Sequence, residues 1–515
     1  MVSKAYQRKP TVGIIGSGFS GICAAVQLKE KLGIKATILE MEDDIGGTWN
    51  VNKYPGCACD IPSHLYSLSF APNPNWSQHY SSQPEIFAYL QSVGKKYDLY
   101  SQTRFRTRAV GATWLEDAQQ WKVEIRSIKS WDAQGNYEEG PSEDLYFDIL
   151  FGAIGPFGIP NFPELYDNFR GKVVHTAKWN MQLDEFTGKR VAVVGSGSSG
   201  IQVIPKIAPY AKSLYSYQRT PAWVMPRQQF TYPAWIKRLY AFFPIFMWLH
   251  RCRIFLQNEL RIVGFVYYNV VGPIFQKFMS LQMSRTLKKR GRKDLVAKVV
   301  PTYPPGCKRI TISENYLETL SEKHVHVIRD NIVAVDGNKL TTATGETQEF
   351  DVLVLATGYK VQEFLGPFDA LGKNGVSLKS LWRGEFPDSY HGINAAGFPN
   401  MFFLLGPSTG LGHNSVVTMI EIQTAYAVKC IEQMMQRNIA SLEVKKPIQD
   451  KWVKNLQKDL KQTVWAGRCD SWYMNASGHV TALWSGSVTG YWWQTRKVNL
   501  SDYNAVGYID KKHSL

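Results

Sequence analysis

The most apolar region of this sequence lacks an uncharged run long enough to cross a bilayer. Its longest stretches, Leu239–Leu249 and Ile262–Gln276, fall short of the roughly 18 to 20 residues that a spanning helix needs, so no transmembrane helix is expected. The start, MVSKAYQRKP, passes from polar residues straight into the apolar run Val12–Ile15, without the charged, apolar and small-residue order of an export signal. The seven cysteines, at 23, 57, 59, 252, 307, 430 and 469, are odd in number and lack the paired spacing of a zinc site. No metal site is therefore expected. That distribution suits reduced thiols in a cytoplasmic protein, with Cys57-Ala-Cys59 structural. No nucleic-acid motif accompanies the basic excess of 59 Lys and Arg over 43 Asp and Glu, a net +16. A membrane surface or an anionic cofactor remains to account for it. Six of the cations crowd into RTLKKRGRK, Arg285–Lys293, which reads as a solvated helix end.

What is present is enough apolar residue, 44% of 515, to bury a large core divided into two or three domains. TVGIIGSGFSGICAAVQL begins as an apolar strand, turns through Gly16, Gly18 and Gly21, and continues with helical periodicity. Glycines at that spacing give a tight turn, let backbone approach a pyrophosphate, and allow helix to pack on strand, with the helix N-terminus facing the anion. A second strand, ATILE, ends in Glu40, nineteen residues after Gly21, where a carboxylate can hold a ribose hydroxyl pair. GKRVAVVGSGSSGIQVIPKIA repeats the design with Gly195, Gly197, Ser198, Ser199 and Gly200. Its next strand ends in Gln218-Arg219-Thr220, a guanidinium where an acid would repel a ribose 2'-phosphate. The first site reads as FAD and the second as NADPH.

The fold class follows: α/β, with two Rossmann-like dinucleotide-binding domains and a helical insertion in the NADPH domain. FDVLVLATGYK, Phe350–Lys360, resembles the strand by which two-dinucleotide flavoproteins return from the nicotinamide domain to the flavin domain, and FGAIGPFGIP near residue 155 is its weaker counterpart at the outward crossing. The expected division is 1–152 for the first part of the FAD domain, 153–349 for the NADPH domain with its insertion at about 222–300, and 350–515 for the second part of the FAD domain.

GGTWNVNKYPGCACD, Gly46–Asp60, is too rich in glycine and proline for helix or strand and reads as a loop held in one shape. Its Gly46, Gly47, Thr48, Trp49, Tyr54-Pro55-Gly56 and Asp60 match a fingerprint of the type I Baeyer-Villiger monooxygenases, within the flavin-containing monooxygenases. A second fingerprint lies in FRGKVVHTAKWN, with Phe169, Gly171, His175 and Trp179. The chain resembles that family from about residue 10 to about residue 500, departing at Asn180, where proline or aspartate is usual. The resemblance implies that Arg309 of the Lys308-Arg309 pair is the active-site arginine beside the flavin and that Asp60 holds and orients it. It also implies that Lys308 reaches the 2'-phosphate, that His175 couples the domains, and that Trp472 closes over NADP. The activity implied is oxygen insertion beside a ketone through a flavin C4a-peroxide, which a fixed guanidinium favours as the anion. The turn before VVTMIEIQTAYAVKCI would place a helix N-terminus toward the flavin.

Alternatives remain open at this stage. A related enzyme oxidising nitrogen or sulfur would use the protonated hydroperoxide with the same cofactors. A disulfide reductase needs a cysteine pair on the first flavin helix, and only Cys23 lies there. The aromatic segment between Pro221 and Lys298 reads chiefly as core or tunnel lining, while the cations beside it keep a weak membrane contact through 239–293 in view. That segment also suggests a bulky hydrophobic ketone, in keeping with secondary metabolism, as the partner of O2. Oligomeric state is not legible.

Overall fold

The computed structural model describes residues 8–132, 136–383, 386–467, 469 and 471–508; the polar start read above, through residue 7, lies outside the described residues. The chain opens with β1 (Val12–Ile15), α1 (Phe19–Leu32) and β2 (Thr37–Leu39), the two strands parallel. β1 is buried at every position, as a strand covered on both faces must be. The opening loop follows and carries a single helical turn, α2 (Thr48–Val51). After an antiparallel meander through Thr107–Leu115, Gln120–Trp131 and Tyr137–Phe147, β3 (Ile149–Gly152) pairs on the other side of β1.

The chain then crosses to a second sheet. β4 (Lys172–His175), β5 (Arg190–Val194), α3 (Ser198–Ile207) and β6 (Ser213–Tyr217) are followed by the helical segment α4 (Ala234–Phe242), α5 (Pro244–Leu260), α6 (Ile262–Val266) and α7 (Tyr268–Lys289). β7 (Val325–Ile328) and β8 (Val352–Leu355) complete a parallel sheet in the order β7-β6-β5-β8-β4. Residues 356–361 run back beside the outward crossing, with Asn161 N donating to the Gly358 carbonyl (2.8 Å) and Lys360 N to that of Ile159 (2.9 Å). β9 (Met401–Phe403) then joins the first sheet next to β3. α8 (Val416–Arg437) packs on α1, and α9 (Val488–Thr495) comes near the end. One buried cluster runs from the first sheet through Trp49, Tyr54, Cys57 and Cys59 of the opening loop to Val191 and Val193 of the second.

Two expectations are corrected. Cys307 and Cys469 are not reduced thiols but form a disulfide, their Cα atoms 6.1 Å apart. They lie 162 residues apart, and no local pattern announces a pairing made only where two distant loops meet. Cys57 and Cys59 stay free and buried, and burial pushes the Cys57 thiol up to about 12, as suits a structural pair. The aromatic helices are core on one side only. Met247, Ile254, Met279 and Met283 are buried, whereas Phe242, Leu260, Val270 and Ile274 are exposed, because helical periodicity divides an apolar segment into two faces and the fold covers one of them. The basic run Arg285–Lys293 does end a helix in solvent, with Arg290 paired to Glu318 at 2.6 Å.

Candidate active site

Both glycine turns open on one cavity of about 1900 Å³. That is about twice the roughly 300 to 1,000 Å³ of a pocket for one small ligand, room for two dinucleotides. At the first turn, Gly16 and Gly18 line the cavity and α1 starts at its edge. Gly21 does not reach it; a Cβ there would lie 1.9 Å from the Gly16 carbonyl oxygen, so its role is helix-on-strand packing. Glu40 follows β2 and lines the cavity. Its carboxylate accepts from Ser17 N (2.8 Å), Ser17 Oγ (2.5 Å) and Glu42 N (2.9 Å). Burial raises its pKa and these donors oppose the rise.

The second turn is built alike. Gly195, Gly197, Ser198 and Ser199 line the cavity, while Gly200 packs against Gly195, a Cβ on it falling 2.2 Å from the Gly195 carbonyl oxygen. Gly197 is different: a Cβ there would meet nothing within 4 Å. The space beside its backbone is what a pyrophosphate would occupy at the N-terminus of α3. Arg219, exposed, and Thr220 follow β6 on the same wall, and the Thr220 carbonyl accepts from Ser196 Oγ at 2.9 Å. Lys308 also lines the cavity, its Nζ 5.6 Å from the Tyr303 ring centre.

The opening loop is wedged between the two turns, and its glycines are contact points. Gly47 (φ +52) crosses Gly18, where a Cβ would come 2.9 Å from the Gly18 Cα. Gly56 (φ +85) presses on α3, where a Cβ would come 2.5 Å from the Gln202 carbonyl oxygen. Both positions also demand a backbone conformation that side chains disfavour. Gln202 completes the bridge, accepting from Tyr54 Oη (2.8 Å) and donating to the Ala58 carbonyl (2.9 Å). Thr48 and Trp49 line the cavity, and Trp49 Nε1 donates to Tyr66 Oη at 3.2 Å.

Held this way, the loop delivers Asp60 to Arg309. Nε and Nη2 of Arg309 both donate to Asp60 Oδ2, at 2.9 and 2.7 Å, and Nη1 donates to the Leu411 carbonyl at 3.0 Å. The two side chains keep 26% and 29% of their surface accessible and line the cavity, so the pair is anchored yet available to a ligand. Burial is the largest single influence and would lower the Arg309 pKa, but the charge and hydrogen bonds of Asp60 together with Tyr473 and Cys59 outweigh it and leave the guanidinium above its ordinary value. A fixed cation in a cavity can stabilise negative charge developing on an oxygen.

Sequence reasoning missed three participants. The Leu411 carbonyl is backbone and carries no residue-type signal. Gln202 sits inside α3. Tyr473 lies against Arg309, and its hydroxyl is pushed up to about 12 by burial, with the guanidinium pulling the other way. Its neighbour Trp472 is 44% exposed, lines the cavity, and accepts at its carbonyl from Gln362 Nε2 (2.7 Å). The Cys307–Cys469 disulfide ties this segment to the chain entering Lys308 and Arg309.

His175 stands outside the chemistry. It is buried at the end of β4, its Nδ1 accepts from Ala177 N (3.0 Å), and its Nε2 lies 3.1 Å from Thr357 Oγ1. Thr357 Oγ1 in turn donates to the Asn161 carbonyl (2.6 Å), so one chain of bonds joins the two crossing segments. Burial lowers the His175 pKa to about 4, and the neutral ring then donates from Nε2 to Thr357. Asn180 lines the cavity.

Residues 9–437 match the flavin-binding monooxygenase-like family. The chain is 37% identical over 504 residues to a Baeyer-Villiger monooxygenase of Pseudomonas aeruginosa, covering 97% of this chain and 92% of that protein. To a Baeyer-Villiger monooxygenase of Streptomyces coelicolor it is 35% identical over 500 residues, covering 96% and 92%. Among solved structures it resembles cyclohexanone monooxygenase from Rhodococcus sp. Phi1 bound to NADP+, with a TM-score of 0.83 at 25% identity over 97% of this chain and 99% of that one.

Proposed function

The chain belongs to the flavin-binding monooxygenase-like family, among relatives that are Baeyer-Villiger monooxygenases, and from that premise we propose that it uses FAD, NADPH and O2 to insert oxygen beside the carbonyl of a bulky hydrophobic ketone, giving an ester or lactone. The observation that carries this reading is the Arg309 guanidinium, fixed by Asp60 and the Leu411 carbonyl on the wall of a cavity into which both glycine turns open. The residues fit both cofactors: Gly16, Gly18, Glu40, Gly47, Thr48 and Trp49 would hold FAD, and Gly195, Gly197, Ser198, Ser199, Arg219, Thr220 and Lys308 would hold NADPH, with Trp472 at the rim. When bound, FAD supplies the redox chemistry and the activation of oxygen.

The chain's own residues do the rest. Arg309 stays protonated throughout, since a guanidinium does not titrate in the working range. Its planar N–H groups donate to the ketone oxygen and stabilise the negative charge that grows there as the carbonyl carbon is attacked, without reorganising at that moment. Asp60 offsets the cost of holding this cation away from water and fixes its plane. Tyr473 lies against the guanidinium. The same reading assigns 1–152 and 350–515 to the flavin part and 153–349 to the NADPH part, supported by the two parallel sheets.

Arg309→Ala tests it. The variant should keep both cofactors and still be reduced by NADPH, more slowly if the guanidinium also helps to place the nicotinamide, while ketone oxygenation falls at least about a hundredfold, as when one oxyanion donor is removed. Sulfide or amine oxygenation measured in parallel separates the electrophilic alternative, which needs no such cation. Ester formation at the unmodified rate would overturn the assignment.

A further inference from the structure

We infer that the uncovered face of α4–α7 seats the protein on an anionic lipid surface, lying in its plane and not crossing it. Sixteen of the thirty exposed large apolar side chains among the described residues fall between Trp235 and Leu281. This concentration exceeds the scattered exposure that any surface shows. The exposed residues keep helical spacing. On α5, Ile245, Leu249, Leu256 and Leu260 form one stripe, and on α7, Val270, Ile274, Phe278 and Leu281 form another, opposite the buried Met279 and Met283. Exposure reaches 78% at Phe242, 75% at Val270 and 73% at Ile274.

Charge identifies the occupant. From 234 to 293 there are twelve Lys and Arg and a single acid, Glu259; Arg251 turns inward to the His64 carbonyl and Ser67, and Arg290 and Arg292 are paired with Glu318 and Asp294, which leaves nine others. Glu259 is already engaged, accepting from Asn414 Nδ2 (2.9 Å) and Thr489 N (2.8 Å). Apolar helical faces bordered by cations and free of acids suit anionic headgroups above acyl chains. A second copy of this chain, carrying the same cations, would bring like charges together on the same face. No single helix among the described residues is long and apolar enough to cross a bilayer; α4 and the helices after it reach that length and composition only as a pair bent by 108°. Short helices bent in this way can each lie flat at an interface.

The inner side of the same helices reaches the active-site wall. Phe265 of α6 stacks on Trp465 with ring centres 5.4 Å apart and abuts Gly306, and Tyr268 packs in one cluster with Cys307 and Leu411. The surface given to lipid is therefore the back of the wall that carries Arg309.

The full-length protein should float with vesicles of phosphatidylcholine containing phosphatidylglycerol and partition at least about tenfold less onto phosphatidylcholine alone, with the difference shrinking in high salt. The double variant Phe242→Glu/Ile274→Glu should lower binding to the anionic vesicles at least about tenfold while NADPH oxidation with a water-soluble ketone is unchanged. Lys288→Glu/Lys289→Glu, at solvated positions, provides a second test in which the anionic preference alone declines. Absence of flotation, or flotation that neither variant alters, would overturn the inference. So would a lipid-free dimer, seen by analytical ultracentrifugation, that the Phe242→Glu/Ile274→Glu variant converts to monomer.

Discussion

Replacing Asp60 by Ala removes the partner of Arg309 and leaves the cation in place. Asp60 Oδ2 accepts from Nε and Nη2 of the guanidinium, at 2.9 and 2.7 Å, and with both bonds gone the 3.0 Å bond to the Leu411 carbonyl and the contact with Tyr473 are left to orient it. Truncating one member of a buried ion pair costs about 3 to 5 kcal/mol, because the other charge is left uncompensated. Here 26% and 29% of the two side chains remain accessible, and solvent screening reduces the expected loss to about 1 to 3 kcal/mol. Differential scanning calorimetry should record a Tm lowered by a few degrees. Arg309 keeps its charge but gains freedom to swing about one bond, and a displacement of about 1 Å at such a group costs up to about a hundredfold in rate. The expected kcat for ester formation, followed by product mass, is therefore about 10- to 100-fold below that of the unmodified enzyme, with the KM for NADPH within about twofold. Asp60→Asn should fall between the two, since its carbonyl oxygen can still accept. If Asp60→Ala instead raised KM and left kcat intact, the carboxylate would be binding ligand and not orienting Arg309, and the reasoning would fail.

Three further outcomes follow from the same geometry. Gly197→Ala should leave the Tm unchanged, because its Cβ meets nothing within 4 Å, yet weaken NADPH binding by filling the space beside the turn; Gly200→Ala, with its Cβ 2.2 Å from the Gly195 carbonyl oxygen, should lose folded protein instead. Arg219→Ala should raise the KM for NADPH about tenfold or more, in line with loss of a charge-assisted hydrogen bond, and leave NADH kinetics alone; an equal effect on both coenzymes would show that Arg219 does not read the 2'-phosphate. Burial depresses the pKa of His175 to about 4 and, by the same cause, that of His64 to about 3 and His391 to about 3. Below an ordinary histidine value near 6.5 the unfolded chain takes up protons that the folded one refuses, so stability present at neutral pH is lost as pH falls from about 6.5 toward about 4. His175→Gln should shrink the difference in unfolding free energy between pH 7 and pH 5 by about 2 kcal/mol, at roughly 1.4 kcal/mol per pH unit for one proton, measured by urea titration.

How much of this was legible in the sequence depended on the range of the interaction. The glycine turns with Glu40 and Arg219 were readable because each is a local arrangement: a turn, a helix start and the residue at the end of the next strand, all within about 25 positions. The α/β class follows from the same units repeated. The meeting of Asp60 and Arg309, 249 residues apart, could be named only through the resemblance of their surrounding motifs, since spacing says nothing about contact at that distance.

The sequence by itself determined the two nucleotide turns, the charges placed after them and the helical, aromatic-rich character of α4–α7, because these depend on neighbours a few positions away. Only the tertiary structure decided that Gly47 and Gly56 are the points where the opening loop is clamped between both turns, that Tyr473 lies against Arg309, that Cys307 meets Cys469, and which stripe of the aromatic helices is left uncovered. Each of these depends on backbones from distant segments arriving within a few ångströms of one another. That approach is set by the packing of the two sheets and the crossing segments between them, and no residue carries it alone.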